Sequence, residues 1–343
     1  MKNLQVKNRD LDALVGGDIL SFAKLPRLNP QNLDFPVYTL SLIEHDYEAK
    51  TPVMWNKVYH KFGIEAGNVM LVGNIGNLPE ILEALRRDPK YIGGGAGVGF
   101  KDEIISQLDE LDSLAEQIGA TNFVMKTPEG KLKGYNTDGL GYVRSLEEKF
   151  IEQGQELNGK KAVMLGSGGT GNAIAFMLVD KGANLVILNR DADKAKRLAD
   201  KINVHFKETR QVVRAGGEDL IADEVINADA IVNVSTKGAA GRFEEYYPLA
   251  VARLDNLSIN IAESRELLRI IPKSTILSDV VLRDGGTPFL RAAKEKGFQT
   301  LDGIPMVVYQ GLEAIWLLHG LELEKKGVTK KQVADVMKQA AHY

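Results

Sequence analysis

The feature that most constrains this chain is a glycine-rich turn with a strand before it and a helix behind it. Lys161-Ala-Val-Met-Leu165 is an apolar run of strand length, and Gly166-Ser-Gly-Gly-Thr-Gly171 follows at once. From Asn172 to Lys181 the apolar residues Ala173, Ile174, Met177 and Leu178 recur at helical spacing. Gly166, Gly168 and Gly171 match the pattern G-x-G-x-x-G. In such a turn the first glycine permits the tight bend, the second lets a pyrophosphate approach the backbone, and the third lets the helix pack close to the strand. A helix beginning there also offers unpaired N–H groups and the positive end of its dipole to phosphate. Glycine turns are common, so the motif gains its meaning from the strand and helix that flank it. Ser167, Gly169 and Thr170 complete the candidate phosphate cradle.

The alternation continues downstream. Gly182 closes the helix, Leu185-Val-Ile-Leu188 is the next strand, and a helix with Ala195, Leu198, Ala199 and Ile202 inward leads on from Asp191. Ala230-Ile-Val-Asn-Val234 reads as a strand, and Ser258-Ile-Asn-Ile261 and Thr275-Ile-Leu277 do so with weaker patterning. Strands alternating with helices imply a parallel sheet with right-handed crossovers, a doubly wound Rossmann domain. Upstream lies a second α/β set: a strand at Val37–Leu42, a helix from about Pro52 to Phe62, a strand at Val69–Val72, a helix from about Leu78 to Arg87, and Tyr91-Ile92 running into glycines. The tail from Ile304 is mainly helical, and residues 1–35 form an extension of weak helical character, read as a surface arm. A chain of 343 residues suits two such domains.

Charge and composition exclude other classes. The net charge is −3 with basic and acidic residues interleaved, so nothing draws the chain to nucleic acid or to an anionic membrane surface. There is no cysteine, which removes disulfides, thiol nucleophiles and thiolate zinc sites. The five histidines (His45, His60, His205, His319, His342) lie far apart, and no metal is expected. The N-terminus lacks the apolar core of a signal peptide, and the apolar stretch Ile304–Leu318 is broken by Gln310 and Glu313. The expectation is a cytoplasmic monomer or homodimer whose partners are small molecules.

At the end of the second strand of the Rossmann unit the chain reads Asn189-Arg-Asp-Ala-Asp-Lys194. Arg190 and Lys194 suit a 2′-phosphate through charge-assisted hydrogen bonds. Asp191 and Asp193 would oppose that phosphate, bind a ribose 2′-hydroxyl instead, or simply cap the helix. NADP or NAD is therefore the expected cofactor, with the two cations favouring NADP.

Several further segments resemble shikimate dehydrogenases in order and spacing, from about residue 37 to about residue 320. Gly134-Tyr-Asn-Thr-Asp-Gly139 looks like the family's G-x-N-T-D-G signature, and Phe100-Lys-Asp-Glu103 sits where the family has P-F-K-E. Ala120-Thr-Asn122 is similar to A-V-N, and Asn189-Arg190 to the cofactor pair N-R. Thr287-Pro-Phe-Leu290 and Leu301-Asp-Gly-Ile-Pro-Met-Val-Val-Tyr-Gln310 resemble T-P-F-L and D-G-x-x-M-x-x-x-Q. The resemblance implies a nicotinamide-dependent dehydrogenase of aromatic biosynthesis. It implies a substrate and catalytic domain of residues 1–137 plus 303–343, the helical tail returning to it, and a dinucleotide-binding domain of residues 138–302. It makes Lys101 and Asp138 the catalytic pair, Thr51, Asn122 and Gln310 substrate contacts, and Gly303 and Met306 part of the nicotinamide pocket.

The departures bear on substrate. Where the family has N-V-T this chain has Gly95-Ala96-Gly97, the usual S-x-S-P reads Ala49-Lys50-Thr51-Pro52, and a frequent tyrosine aligns with Leu282. Each lost donor leaves a polar substrate group unpaired at about 1–3 kcal/mol, so shikimate is expected to be a poor substrate. Quinate dehydrogenase, an authentic shikimate dehydrogenase and a non-catalytic cofactor- or metabolite-binding regulator are the alternative readings. Hydride transfer requires the substrate hydroxyl to lose its proton to a group within hydrogen-bond reach. By resemblance Lys101 takes that proton while Asp138 orients the amine. Asn136 and Thr137 are read as shaping the turn before Asp138.

Overall fold

The computed structural model describes residues 36–43, 50–97, 99–208, 212–253 and 255–341; the surface arm expected over residues 1–35 and the departure at Ala49 lie outside them. The chain divides into two compact units, one ending at Thr137 and completed by Gln310–Tyr343, the other running from Asp138 to Tyr309.

The first unit carries β1 (Val37–Ile43), β2 (Ala66–Val72), β3 (Tyr91–Gly95), β4 (Glu110–Leu111), β5 (Phe123–Lys126) and β6 (Leu132–Tyr135) in the order β2-β1-β3-β5-β6-β4. β1 pairs parallel with β2 and β3, whereas β5 runs antiparallel to β3 and to β6. One face of the parallel part is apolar: Tyr38, Leu40 and Leu42 on β1 and Val69 and Leu71 on β2 pack against Leu78, Ile81, Leu82 and Leu85 of the helix Leu78–Arg87. That helix is amphipathic, starts with proline in its first turn and ends in Arg86 and Arg87, where cations suit the dipole. The β5–β6 hairpin, absent from the sequence reading, closes through Thr127 N–H to the Lys131 carbonyl at 2.8 Å, with Gly130 in the left-handed region at φ 83°.

The second unit holds β7 (Lys161–Leu165), β8 (Asn184–Leu188), β9 (Arg214–Gly216), β10 (Ala230–Asn233), β11 (Ile276–Asp279) and β12 (Thr300–Leu301). All pairings are parallel in the order β12-β11-β10-β7-β8-β9, so consecutive strands run outward in opposite directions from β7. This is the order of a doubly wound dinucleotide fold, with its switch point between β7 and β10. Its strands are near-continuous apolar runs because helices cover both faces. Val163, Leu165, Val186, Leu188, Ile231 and Leu277 share one core with Ile221, Val225, Leu268 and Phe289.

The structure corrects one strand assignment. Ser258–Ile261 lies inside the helix Leu257–Ile270, whose buried stripe is Asn260, Ser264 and Leu268. Two of those three residues are polar, so the helical period did not show as hydrophobicity. Asn260 nevertheless belongs inside: its side chain accepts from Tyr247 N–H at 2.8 Å and donates to the Tyr247 carbonyl at 3.1 Å.

Candidate functional site

The glycine turn at the C-terminal end of β7 separates into three steric roles. Gly166 sits at φ 115°, and a Cβ there would stand 2.9 Å from the Ser235 amide nitrogen. Gly171 faces Val234, whose Cγ2 would lie 3.0 Å from a Cβ, so the helix Gly169–Asp180 rests directly on the end of β10. Gly168, the N-cap of that helix, is different: its φ of −84° is ordinary and a Cβ there meets nothing within 4 Å. Its lack of a side chain answers no crowding inside the protein, and it leaves open space at a helix N-terminus, the shape a pyrophosphate needs. Ser167 is buried and receives a short hydrogen bond from Asn189 Nδ2, tying the turn to the end of β8. Thr170 is half-buried in the first turn of the helix.

Beyond β8 the expected cations Arg190 and Lys194 are both exposed. Asp191 is occupied as the N-cap of the helix Ala192–His205, its Oδ1 accepting from Lys194 N–H at 3.0 Å. Asp193 is exposed in the same first turn.

Two buried charged groups of this unit were not anticipated. Lys237, in the loop after β10, donates to the Ala250 carbonyl at 2.7 Å and pairs with Glu218 at 2.7 Å. Burial pulls its amine below the usual lysine range, Glu218 resists that, and Arg190 adds a smaller downward push. Asp279, at the end of β11, accepts from Asn233 Nδ2 and Val281 N–H at 3.0 Å each and from the Thr287 hydroxyl at 2.8 Å. Burial outweighs those three donors and lifts its carboxyl to about 7. Sequence offers only a weak signal for either, namely a polar residue at or a few positions beyond the end of an apolar strand.

Further along, Gly303 opens the helix Gly303–Lys325, where a Cβ would meet the Val280 carbonyl at 2.6 Å and Leu282 Cδ2 at 3.0 Å. Met306 is buried one turn later.

In the first unit the structure brings together Asn122, Thr137 and Gln310. Asn122 Nδ2 donates to Thr137 Oγ1 at 2.9 Å and to Gln310 Oε1 at 3.1 Å, while its Oδ1 accepts from Thr137 N–H at 2.8 Å. Asn136 Nδ2 holds the Ala120 carbonyl at 2.9 Å. Lys101 is half-buried in the turn after β3, and its carbonyl accepts from Thr121 N–H at 3.0 Å, which fixes this turn to the segment carrying Asn122. Thr51 is half-buried in the first turn of the helix Lys50–Phe62. Asp138 belongs to the other unit, where it is buried as the first residue of the helix Asp138–Glu152. Gly139 explains the glycine of that signature: a Cβ would lie 2.3 Å from the Ala173 carbonyl oxygen, so only glycine lets this helix cross the helix of the glycine turn so closely.

Among the described residues no group of three or more His, Asp or Glu could hold a metal ion, and no helix is long and apolar enough to cross a membrane.

Comparison with known proteins places this geometry among relatives. A family model for the shikimate dehydrogenase substrate binding domain matches residues 46–124, and one for shikimate / quinate 5-dehydrogenase matches residues 148–236. A shikimate dehydrogenase (NADP(+)) from Lysinibacillus sphaericus is 33% identical over 279 residues, covering 80% of this chain and 89% of the relative. A crystal structure of shikimate dehydrogenase in complex with NADP+ superposes with a TM-score of 0.72 at 27% identity, over 89% of this chain and 95% of that one. The ligand-free 5-ketofructose reductase of a Gluconobacter strain superposes with a TM-score of 0.68 at 25% identity, over 89% and 99% of the two chains.

Proposed function

The chain belongs to the shikimate dehydrogenase family of nicotinamide-dependent oxidoreductases acting on CH–OH groups, and from that premise we propose that it interconverts a hydroxyl and a keto group on a small, cyclic carboxylate for which shikimate is a poor stand-in. The observation that carries this reading is the Asn122–Thr137–Gln310 cluster, which binds the backbone immediately before Asp138 and converges on the strand end nearest the Lys101 turn.

The dinucleotide cradle fits its expected occupant, because Gly168 leaves space where a side chain would fit the protein alone without conflict. Gly166 to Gly171 would hold the pyrophosphate, Asn189 and Arg190 the adenosine side, and Gly303 and Met306 the nicotinamide. NADP is favoured over NAD, since Arg190 and Lys194 are exposed while Asp191 is engaged as a helix cap. The relative from Lysinibacillus sphaericus is likewise named for NADP+. When bound, the nicotinamide supplies the hydride acceptor or donor.

The chain's own residues do the rest. Asn122 and Gln310 orient the substrate through amide donors and acceptors, with Thr51 a further contact. As the carbinol C–H bond breaks and its carbon becomes a carbonyl, Lys101 takes the hydroxyl proton, and Asp138 holds and compensates the resulting ammonium. In reduction the same proton returns to the new hydroxyl. The altered Gly95-Ala96-Gly97 segment and Leu282 in place of tyrosine remove donors at about 1–3 kcal/mol each, enough to lower shikimate turnover by orders of magnitude. That a 5-ketofructose reductase shares the fold supports a substrate pocket free to diverge.

The test follows nicotinamide absorbance with NADPH or NADP+ against a panel of cyclic and acyclic hydroxy acids and their ketones. Turnover of a panel member faster than that of shikimate supports the reading. Binding without turnover across the panel, or shikimate oxidation at a rate typical of a biosynthetic enzyme, would overturn it.

A further inference from the structure

Three glycines in a row end β3, and only two of them are required by the backbone. A Cβ on Gly93, at φ 154°, would lie 2.6 Å from the Val124 carbonyl, and one on Gly94 would lie 1.8 Å from the Leu40 carbonyl. Gly95 has neither constraint: a Cβ there would find its nearest neighbours, the Asn122 carbonyl and Ser41 Oγ, at 3.8 and 4.0 Å. These are ordinary contact distances. A glycine in a strand gives up backbone entropy with no packing in return, so the space left at Gly95 calls for another explanation. Gly95 is half-buried, and the notch therefore opens outward.

At the bottom of that notch is Ser41, on the face of β1 opposite Tyr38, Leu40 and Leu42. It is 5% exposed and joined to a buried polar network. Ser41 Oγ donates to Asn68 Oδ1 at 3.1 Å, and Asn68 Nδ2 donates to Thr39 Oγ1 at 2.8 Å. Thr39 Oγ1 lies 3.3 Å from both the Gly67 carbonyl and the Tyr59 hydroxyl, and with its one proton engaged there its oxygen accepts from the amide nitrogen of Asn68. Asn56 fixes Asn68 further, accepting its backbone N–H at 2.7 Å and donating to its carbonyl at 3.0 Å. With its proton directed inward, Ser41 turns only lone pairs toward Gly95. Among the described residues nothing donates to that oxygen.

We propose that Ser41, reached through the notch at Gly95, is a substrate-specificity residue that accepts a hydrogen bond from a ligand hydroxyl. The inference rests on the proposed function, because the notch adjoins the backbone of Asn122, whose side chain is the candidate substrate contact. An acceptor-only group selects a hydroxyl donor and rejects a carboxylate oxygen at the same point. It therefore compensates for the donors missing from Gly95-Ala96-Gly97 by favouring an acid that carries an additional hydroxyl.

Quinate and shikimate form a suitable probe pair, since quinate carries one more ring hydroxyl. The experiment measures the ratio of kcat/KM for quinate to that for shikimate in the full-length protein and in Ser41→Ala and Gly95→Ala. The wild-type ratio should favour quinate by about tenfold or more, the discrimination of one designed hydrogen bond, and both variants should bring it close to one. Gly95→Ala fills the notch without a clash, so it stays informative even if Ser41→Ala, which leaves Asn68 Oδ1 unpaired, folds poorly. A wild-type ratio near one, or a ratio that survives in the folded variants, would overturn the inference. If neither acid is turned over, the proposed function fails for these acids, and the quinate-induced rise in melting temperature becomes the readout. A rise in wild type that both variants lose upholds the role of Ser41; a rise that is equal in all three, or absent, refutes it.

Discussion

Replacing Gly139 with alanine should damage both stability and turnover, and the geometry says by how much. The added Cβ would lie 2.3 Å from the Ala173 carbonyl oxygen, 2.6 Å from Met177 Cγ and 2.8 Å from the Ala173 carbonyl carbon. Backbone cannot swing aside as a side-chain tip can, so the helices Asp138–Glu152 and Gly169–Asp180 must separate by about 1 Å to reach normal contact. Overpacking of this kind costs about 1–3 kcal/mol, offset by up to ~1 kcal/mol from alanine's better helix propensity. A net loss of about 1–2 kcal/mol in a unit of this size lowers the melting temperature by roughly 2–8 °C. The displaced helix begins at Asp138, and a shift of about 1 Å in a reacting group can lower kcat about a hundredfold. Thermal melts and steady-state rates on the same preparation read both effects. An unchanged melting temperature with full kcat would show that neither the close crossing nor the position of Asp138 matters as argued.

Three further outcomes follow from the site. Gly168→Ala, whose Cβ enters open space, should leave the melting temperature unchanged yet weaken dinucleotide binding at least about tenfold; unaltered binding by calorimetry would make the turn purely structural. Arg190→Ala should weaken NADPH more than NADH by about tenfold, the loss of a charge-assisted hydrogen bond, and an equal effect on both would remove Arg190 from 2′-phosphate recognition. Asp279 has its carboxyl raised to about 7, above its unfolded range, so its contribution to stability is present at low pH and declines as pH rises through about 7. Melting temperature should therefore fall between pH 5 and 8 more steeply in wild type than in Asp279→Asn, and parallel pH profiles would contradict that assignment.

How much of this the sequence made legible depended on whether burial was apolar. Ala162 to Leu165 and Leu185 to Leu188 are buried on both faces and read directly as strands. The helix Leu257–Ile270 did not, because Asn260 and Ser264 occupy its inward stripe and a hydrophobic period registers neither. The strand pattern does not show that Thr39 and Ser41 are buried; only three-dimensional pairing with Asn68 reveals them as a buried network. Lys237 lies in the loop after β10 and Glu218 opens a short 3-10 helix after β9, and no local pattern links such a pair. The glycine turn was readable from steric rules, whereas the candidate roles of Lys101, Asn122, Asp138 and Gln310 rest on family resemblance alone, since isolated polar residues carry no period. Structure then supplied what spacing could not, by joining Asn122 to Thr137 and Gln310.

The most direct test of the proposed chemistry is a single-turnover measurement of nicotinamide absorbance, comparing wild type with Lys101→Ala on the best ketone or hydroxy acid from the panel. With dinucleotide affinity unchanged between the two proteins, the hydride-transfer phase should be present in wild type and lost in the variant. A variant that transfers hydride at the wild-type rate would contradict proton transfer through Lys101 and the reaction built on it.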